Sequence, residues 1–450
     1  MNRLAVRSVR GRITSFTACG LAVFLGATLM LAFLAMLTTG LAHGTSGDDR
    51  GTLVTMASVV GGWAVVIVIF AVASTMQLAV RQRSEEFALL RTIGTTPRQI
   101  RRMVSSESLL VTGIAAVAAL IPGWLLGRAV LALLRNGHLV SADVRYQAGV
   151  APFAITIVAM LAAAAVAARF AARPALTGSA AGALTASRIG SPELSRRRFW
   201  LGIGLTALGA NYSVMAMTMG NDGGDKFAAM SMAGPASVFW SIGLAVFAPE
   251  LLRRAAVVGS RFVGRRASGQ LATIAMRQRA AELAGALRPV IILVGISTGT
   301  LYMVGIDAAA GQLEAHDVAT NSTELLNLVV VGMVSLFAAI MVGNTLVATI
   351  TARRREFGLQ RLAGSTRGQV TSMAGIEAAL VAATGIVVGG IAALGAVVPY
   401  TVVKTPGYLP TVWPWLFPAV AAVAGAVTVG TAVTATRRGL RQPAVEAVAA

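Results

Sequence analysis

Ten apolar runs set the limits on what this chain can fold into. They lie near residues 14–42, 53–80, 105–134, 151–172, 199–219, 229–252, 289–308, 325–350, 374–400 and 412–436. A helix needs roughly 20 apolar residues to cross the hydrocarbon core of a bilayer, and each run is near or above that length. A closed barrel would show short segments alternating in polarity. These runs are instead continuous and rich in Ala, Leu, Val and Gly, which predicts an all-α, polytopic membrane protein of about ten transmembrane helices. The balance of the 450 residues agrees: 56% are hydrophobic and 12% charged, about half the charge of a soluble domain.

The net charge is +20, which in a soluble chain would point to nucleic acid. Here the cations follow loop parity. Arg3, Arg7, Arg10 and Arg12 precede the first run, and Arg81, Arg83, Arg91, Arg98, Arg101 and Arg102 lie between the second and third. Later segments of the same parity add Arg196 to Arg198, Arg253, Arg254, Arg261, Arg265, Arg266, Arg353 to Arg355, Arg437, Arg438 and Arg441. The opposite parity holds few cations and most of the aspartates, among them Asp48, Asp49, Asp143, Asp222, Asp225, Asp307 and Asp317. Positive residues accumulate on the cytoplasmic side, so both termini are expected there, in a bacterial cytoplasmic membrane, and no nucleic-acid partner is expected. Cys19 is the one cysteine, which precludes an intrachain disulfide. The basic-then-apolar start reads as a retained signal anchor. His43, His138 and His316 fall in three different outer loops, so no metal site is expected.

The chain repeats itself at an offset of 270. Glu86 aligns with Glu356, Phe87 with Phe357, Arg91 with Arg361, Gly94 with Gly364, Thr96 with Thr366, Gln99 with Gln369 and Glu107 with Glu377. Each of these polar inserts has two apolar runs before it and two after. The expected organisation is therefore 4+2+4: a four-helix unit at 1–176, a linker and middle pair of helices at 177–267, and a second four-helix unit at 268–450. Both copies start on the same side, so the repeat is parallel, with an axis along the membrane normal. The outer loops are short, the longest being about 15 residues at 135–149 and 309–324, too little for an extracellular domain.

Within each insert the local chemistry predicts a stiff knob. The helix entering it stops at Gly94 or Gly364, because glycine takes the left-handed conformation readily. Thr96 and Thr366 are N-caps, Pro97 suits a first helical position, and Gln99 and Gln369 complete capping boxes three residues on. Ile100, Met103 and Val104, matched by Val370, Met373 and Ala374, form one apolar face. Two readings stand: an interfacial anchor on anionic lipid, or a docking element gripped from the cytoplasm. Repetition of the cap, the glycine and the glutamate favours docking. For Glu107 and Glu377 three readings stand: a carboxylate at the positive end of a helix dipole, an ion pair with a cytoplasmic arginine that fixes the knob's angle, or a proton site in the membrane.

Nothing marks a catalytic, cofactor or metal site. No phosphate-binding G-x-x-x-x-G-K-[ST] loop occurs, and the two lysines, Lys226 and Lys404, both fall in outer loops. Asp307, Asn211 and Tyr212 lie inside apolar runs. They are read first as groups satisfied between helices and second as lining of a path.

"RQRSEEFALLRTIGTTPRQIRRMVSSESLL" and "RRREFGLQRLAGSTRGQV" resemble the signature segment of FtsX-like permeases, the MacB-type membrane subunits of ATP-binding-cassette transporters. The resemblance covers 1–176 and 268–450. It implies a non-enzymatic permease worked by a separate cytoplasmic ATPase, in two copies, which holds the ATP and magnesium. The docking role maps onto Glu86, Phe87, Leu90, Arg91, Gly94, Thr96, Arg98, Gln99, Arg101 and Arg102. In the second copy it maps onto Glu356, Phe357, Arg361, Gly364, Thr366, Arg367 and Gln369. Membrane lipid and a hydrophobic or amphipathic substrate (an antibiotic, peptide or lipid-like compound) are the other expected partners, with export or extraction as the activity. The alternative is a mechanical relay controlling a cell-wall hydrolase or a sensor kinase. The chain departs from the family pattern in two ways. It lacks the large outer domains of many members, and Gly368, Thr371 and Ser372 replace Arg98, Arg101 and Arg102 in the second insert, so the two docking sites are expected to differ.

Overall fold

The computed structural model describes residues 13–42, 92–136, 140–177, 195–221, 226–263, 267–314, 353–405 and 412–445, with isolated positions within 45–57 and 332–351 and residue 407. Every regular element among these residues is an α-helix. Six helices are long and apolar enough to cross a membrane, or up to eight if each of two bent pairs counts as one span. Most of the second apolar run lies outside the described residues. The chain divides into two compact units, Met1–Ile189 with His316–Val330, and Gly190–Ala315 with Val331–Ala450.

In the first unit α1 (Ile13–Gly40) packs against α2 (Pro97–Ala118), α3 (Leu120–Asn136) and α4 (Val150–Thr177), and α2 packs on α4. Lipid tails are as apolar as leucine, so helices in a bilayer associate by close fit rather than by hydrophobicity. Glycines on α3 provide that fit. A Cβ on Gly123 would stand 2.9 Å from Leu31 Cβ, and one on Gly127 3.2 Å from the Ala32 carbonyl. The run read as a single span near 105–134 bends by 43° between α2 and α3. Pro122 explains the bend. It has no N–H to give the Ala118 carbonyl, and its ring crowds that carbonyl. The 140–149 loop is pinned to the C-terminal end of α1 and to the segment after it. The Ser141 N–H donates to the Asp49 carboxylate at 2.9 Å, and the Gln147 N–H to the Thr39 hydroxyl at 3.2 Å. Tyr146 donates to the Trp124 carbonyl at 3.2 Å, and burial pushes its phenol up to about 12.

The second unit holds α5 (Arg196–Asn221), α6 (Lys226–Val246), α7 (Ala248–Val263), α8 (Ala267–Gln278), α9 (Ala280–Glu314), α10 (Arg354–Leu362), α11 (Arg367–Lys404) and α12 (Leu416–Gly439). Its centre is α9: 89% of that span is buried, against 22% for α12. α11 lies along α9 through a row of small residues. A Cβ on Gly385 would meet Val290 Cγ1 at 2.5 Å, and one on Gly389 would meet Val294 Cβ at 2.7 Å. The middle pair, α5 and α6, packs on α9 and α11. The Ser213 hydroxyl donates to the Gly395 carbonyl at 2.7 Å, and the Trp240 indole N–H donates to Ser213 Oγ at 3.3 Å. The two spans that have no copy in the sequence are thus built into the unit carrying the second copy.

Two ends of this unit differ in charge. Arg253, Arg254, Arg277, Arg279, Arg353, Arg361, Arg437 and Arg441 lie beyond one end of the spans, where α10 and the C-terminal segment meet. At the other end Lys404 is 3.6 Å from Asp307 Oδ1, and Tyr400 donates to the same oxygen at 2.5 Å. Asp307 is therefore satisfied between helices. The run read as one span near 229–252 is bent by 68° between α6 and α7. Pro249 follows the break at Phe247 and withholds an N–H from the Ala245 carbonyl, as Pro122 does in the first unit.

Candidate functional site

The two inserts share one local geometry. Gly94 and Gly364 have φ of +99° and +98°, a region that costs an L side chain roughly 1 kcal/mol or more. After Gly364 the chain closes a Schellman turn. The Ser365 N–H donates to the Gln360 carbonyl at 3.0 Å, and the Gly364 N–H donates to the Arg361 carbonyl at 3.1 Å. Both capping boxes are formed. Thr96 and Thr366 accept from the Gln99 and Gln369 N–H groups at 3.4 and 3.2 Å. The two glutamine side chains accept from the threonine N–H groups at 2.8 and 2.9 Å. Each box satisfies two of the donors that a helix start leaves unpaired.

Ile100 and Val104 of the first copy are buried, as are Val370, Met373 and Ala374 of the second. Arg98, Gln99, Arg101 and Arg102 are exposed, as are Gly364, Arg367 and Gln369. Glu86, Phe87, Leu90 and Arg91 lie outside the described residues. In the second copy Phe357 is fully buried, in a cluster with Ile350, Val370, Ala378, Ala432 and Leu440. Arg361 donates to the Gln442 carbonyl at 3.0 Å and the Leu440 carbonyl at 3.5 Å, which fastens the insert to the segment after α12.

A buried charge network joins the second insert to the helices beside it. Arg353 grips Glu377 with both terminal nitrogens, at 2.5 and 3.2 Å, and its Nε donates to Glu356 at 3.1 Å. Its guanidinium lies over the Phe357 ring, 5.2 Å from the centroid. Arg279, at the junction of α8 and α9, donates to the same Glu356 oxygen. Two cations thus face two carboxylates, with Arg353 8% and Glu377 3% exposed. Burial pushes the Glu356 carboxyl up, but Arg353 and Arg279 together outweigh it and hold the group below the usual carboxylate range. Burial also opposes the charge on Arg353, and Glu377 and Glu356 overcome it and raise its affinity for the proton. The four groups tie the α8–α9 junction, the start of α10 and α11 together.

Of the three readings of Glu377, the ion pair is the arrangement present. Glu107 is buried at the matching place in α2. Arg353 stands out from the sequence only as one of the loop cations, and Arg279 not at all. A signal for Arg353 exists there: an arginine stands 24 positions before each glutamate, Arg83 before Glu107 and Arg353 before Glu377. Arg83 lies outside the described residues. Arg279 carries no such signal, because the residue 270 positions earlier is Val9.

The knobs end in exposed apolar side chains. Ile93 is 81% exposed in the first copy, and Leu359 and Leu362 are more than half exposed in the second. Arg98, Arg101 and Arg102 follow the first tip, and Arg355, Arg361 and Arg367 flank the second.

An all-helical, multi-pass membrane protein carrying two copies of a capped polar knob is the class that the fold and this site define. The chain belongs to the FtsX-like permease family. The FtsX-like permease C-terminal model matches residues 58–180 and 328–444, more than half of the chain, so one chain holds two FtsX-type units. The family comprises membrane subunits of ATP-binding-cassette transporters, which generally work with a cytoplasmic ATPase. Comparison with curated proteins gives no match.

Proposed function

We propose that this chain is the permease of a ten-span, 4+2+4 FtsX/MacB-type transporter, worked by a separate ATPase that grips both inserts and holds the ATP and magnesium. The observation that carries this reading is the combination, in the second insert, of an exposed apolar tip with a buried clamp. Leu359 and Leu362 offer a partner a surface that water disfavours. Behind them Arg353, Glu356, Glu377 and Arg279 join the tip to two membrane helices. α11 is continuous from Arg367 to Lys404, about 57 Å at 1.5 Å per residue. A push on the tip is therefore delivered to the far end of α11, where Tyr400 holds Asp307 of α9. A rigid lever of this kind suits a mechanism in which nucleotide-driven closure of two ATPases moves the two units.

The substrate class that fits is hydrophobic or amphipathic. The outer loops are too short to capture a soluble ligand, so entry is from the bilayer and the reaction is export or extraction. The test replaces the three tip residues, which bear no load in the fold: Ile93→Asp, Leu359→Asp and Leu362→Asp together. Tagged chain is purified from membranes of its own host, and nucleotide hydrolysis by the captured complex is measured. Loss of the co-purified ATPase activity with the helical content unchanged is expected. Undiminished activity in the triple variant would refute docking at the tips.

A further inference from the structure

The helix pair that follows the middle spans has surface features that the two inserts do not explain. The 68° bend after α6 turns α7 away from the direction of its span, so a helix that crosses the bilayer as α6 lays α7 across the inner boundary. One face of α7, formed by Leu252, Ala256 and Gly259, is buried against α9 and α11. On the rest of its surface Val257, Val258 and Phe262 are exposed, Phe262 by 79%. Leu271 and Ile274 on α8 are also more than half exposed. Apolar side chains exposed together with arginines on a helix at a membrane boundary suit the interface between headgroups and acyl chains.

Between α7 and α8 lies an open cavity of about 590 Å³, lined by Glu250, Arg253, Arg254, Val257, Ile274, Arg277 and Gln278. Three arginines against one glutamate leave it with two net positive charges. Glu250 is engaged by Arg254 at 3.1 Å and Arg253 at 3.7 Å. Arg277 has no carboxylate within ion-pair distance among the described residues. The volume falls in the roughly 300–1,000 Å³ range of small-molecule sites. Val257 and Ile274 supply an apolar wall beside the cations. Basic pockets on the cytoplasmic side of membrane helices take anionic lipid headgroups, and this pocket has the charge for the headgroup and the wall for the first part of a chain.

We propose that the α7–α8 pair is a binding site for an anionic phospholipid of the inner leaflet. Arg277 and Gln278 immediately precede Arg279, which holds Glu356 of the second insert. A headgroup drawn to Arg277 therefore sits two residues from the clamp, and its presence sets the position of that insert. The binding itself does not depend on which ATPase, if any, the chain works with.

The test uses the full chain in lipid nanodiscs. A fluorophore is placed on Ser260→Cys, an exposed position of α7, in a Cys19→Ala background. Quenching by phosphatidylglycerol with brominated chains is compared with quenching by phosphatidylcholine with the same chains. Phosphatidylglycerol is expected to be enriched at the label by about fivefold or more, the attraction of at least one surface arginine for an anionic lipid. Arg253→Gln, Arg254→Gln and Arg277→Gln together should return it to the bulk ratio, and the three arginine-to-lysine changes should preserve it. Equal quenching by the two lipids in the unsubstituted pocket would overturn the proposal, and that comparison decides even if the glutamine variant fails to fold. So would absence of lipid preference combined with loss of a captured ATPase on Arg277→Gln, which would assign the pocket to a protein partner.

Discussion

Removing Arg353 should destabilise the second unit far more than removing a surface arginine. In Arg353→Leu the Glu377 carboxylate stays 3% exposed and loses both of its hydrogen bonds from the guanidinium. Breaking a buried ion pair from one side costs about 3–5 kcal/mol, because the other charge is left without compensation. Glu377→Leu should cost less, about 2–3 kcal/mol, since Arg353 keeps Glu356 at 3.1 Å and its remaining charge is half-paired. The double variant removes both buried charges and replaces them with apolar volume, a change that is often close to neutral. Glu356 retains Arg279, so the double variant should lie within about 2 kcal/mol of the unsubstituted chain. The interaction energy from the cycle is then at least about 3 kcal/mol, at or above the upper end of the range for contacting residues. Equilibrium unfolding in mixed micelles, followed by circular dichroism and tryptophan emission, measures all four corners. If the two single costs add to within about 0.5 kcal/mol, the pair is not coupled and the clamp does not join α10 to α11.

Gly389→Val should separate α9 from α11: a Cβ there already stands 2.7 Å from Val294 Cβ, and overpacking of this kind costs about 1–3 kcal/mol, readable as a lower unfolding midpoint, whereas Gly425→Val, with no neighbour within 4 Å, should leave the midpoint unchanged. Glu356 gives a pH signature. Its carboxyl is held below the ordinary value of 4.5, so the stability it contributes is present above that pH and is lost as the pH falls from 4.5 through its depressed value. Glu356→Gln should flatten this acid limb of the midpoint-against-pH curve, and an unchanged limb would show that Glu356 is not held by the two arginines.

The capped inserts were legible in the sequence because their chemistry is local and written twice. A glycine at the left-handed position, a threonine two residues later and a glutamine three after that leave the backbone few alternatives, and coincidence at a 270-residue offset fixes the reading. The spans were legible as apolar length, but their shape was not. Hydropathy is indifferent to Pro122 and Pro249, since proline is apolar enough to pass within a run. The bends appear only when the missing N–H and the crowded carbonyl are considered in three dimensions. Long-range partners were hidden for a different reason. Arg279 reaches Glu356 across 77 residues, and nothing in either local sequence marks the other.

The attachment of the middle pair was equally hidden, and it bears on what moves with the second insert. Ser213, Trp240 and the Gly395 carbonyl make a junction whose elements are one hydroxyl, one indole and one residue with no side chain. In lipid such a fit is worth more than another leucine, because leucine gains nothing by leaving the acyl chains. With α5 and α6 packed on α9 and α11, any movement of α11 driven through the Arg353 clamp must disturb its interfaces with α5, α6, α7 and α8. Ser213 and Gly395, which join α11 to the middle pair, are small residues within the spans rather than charged ones at their end. A change at Gly395 or Ser213 should alter the response of the second insert while leaving its capped, positively charged tip intact.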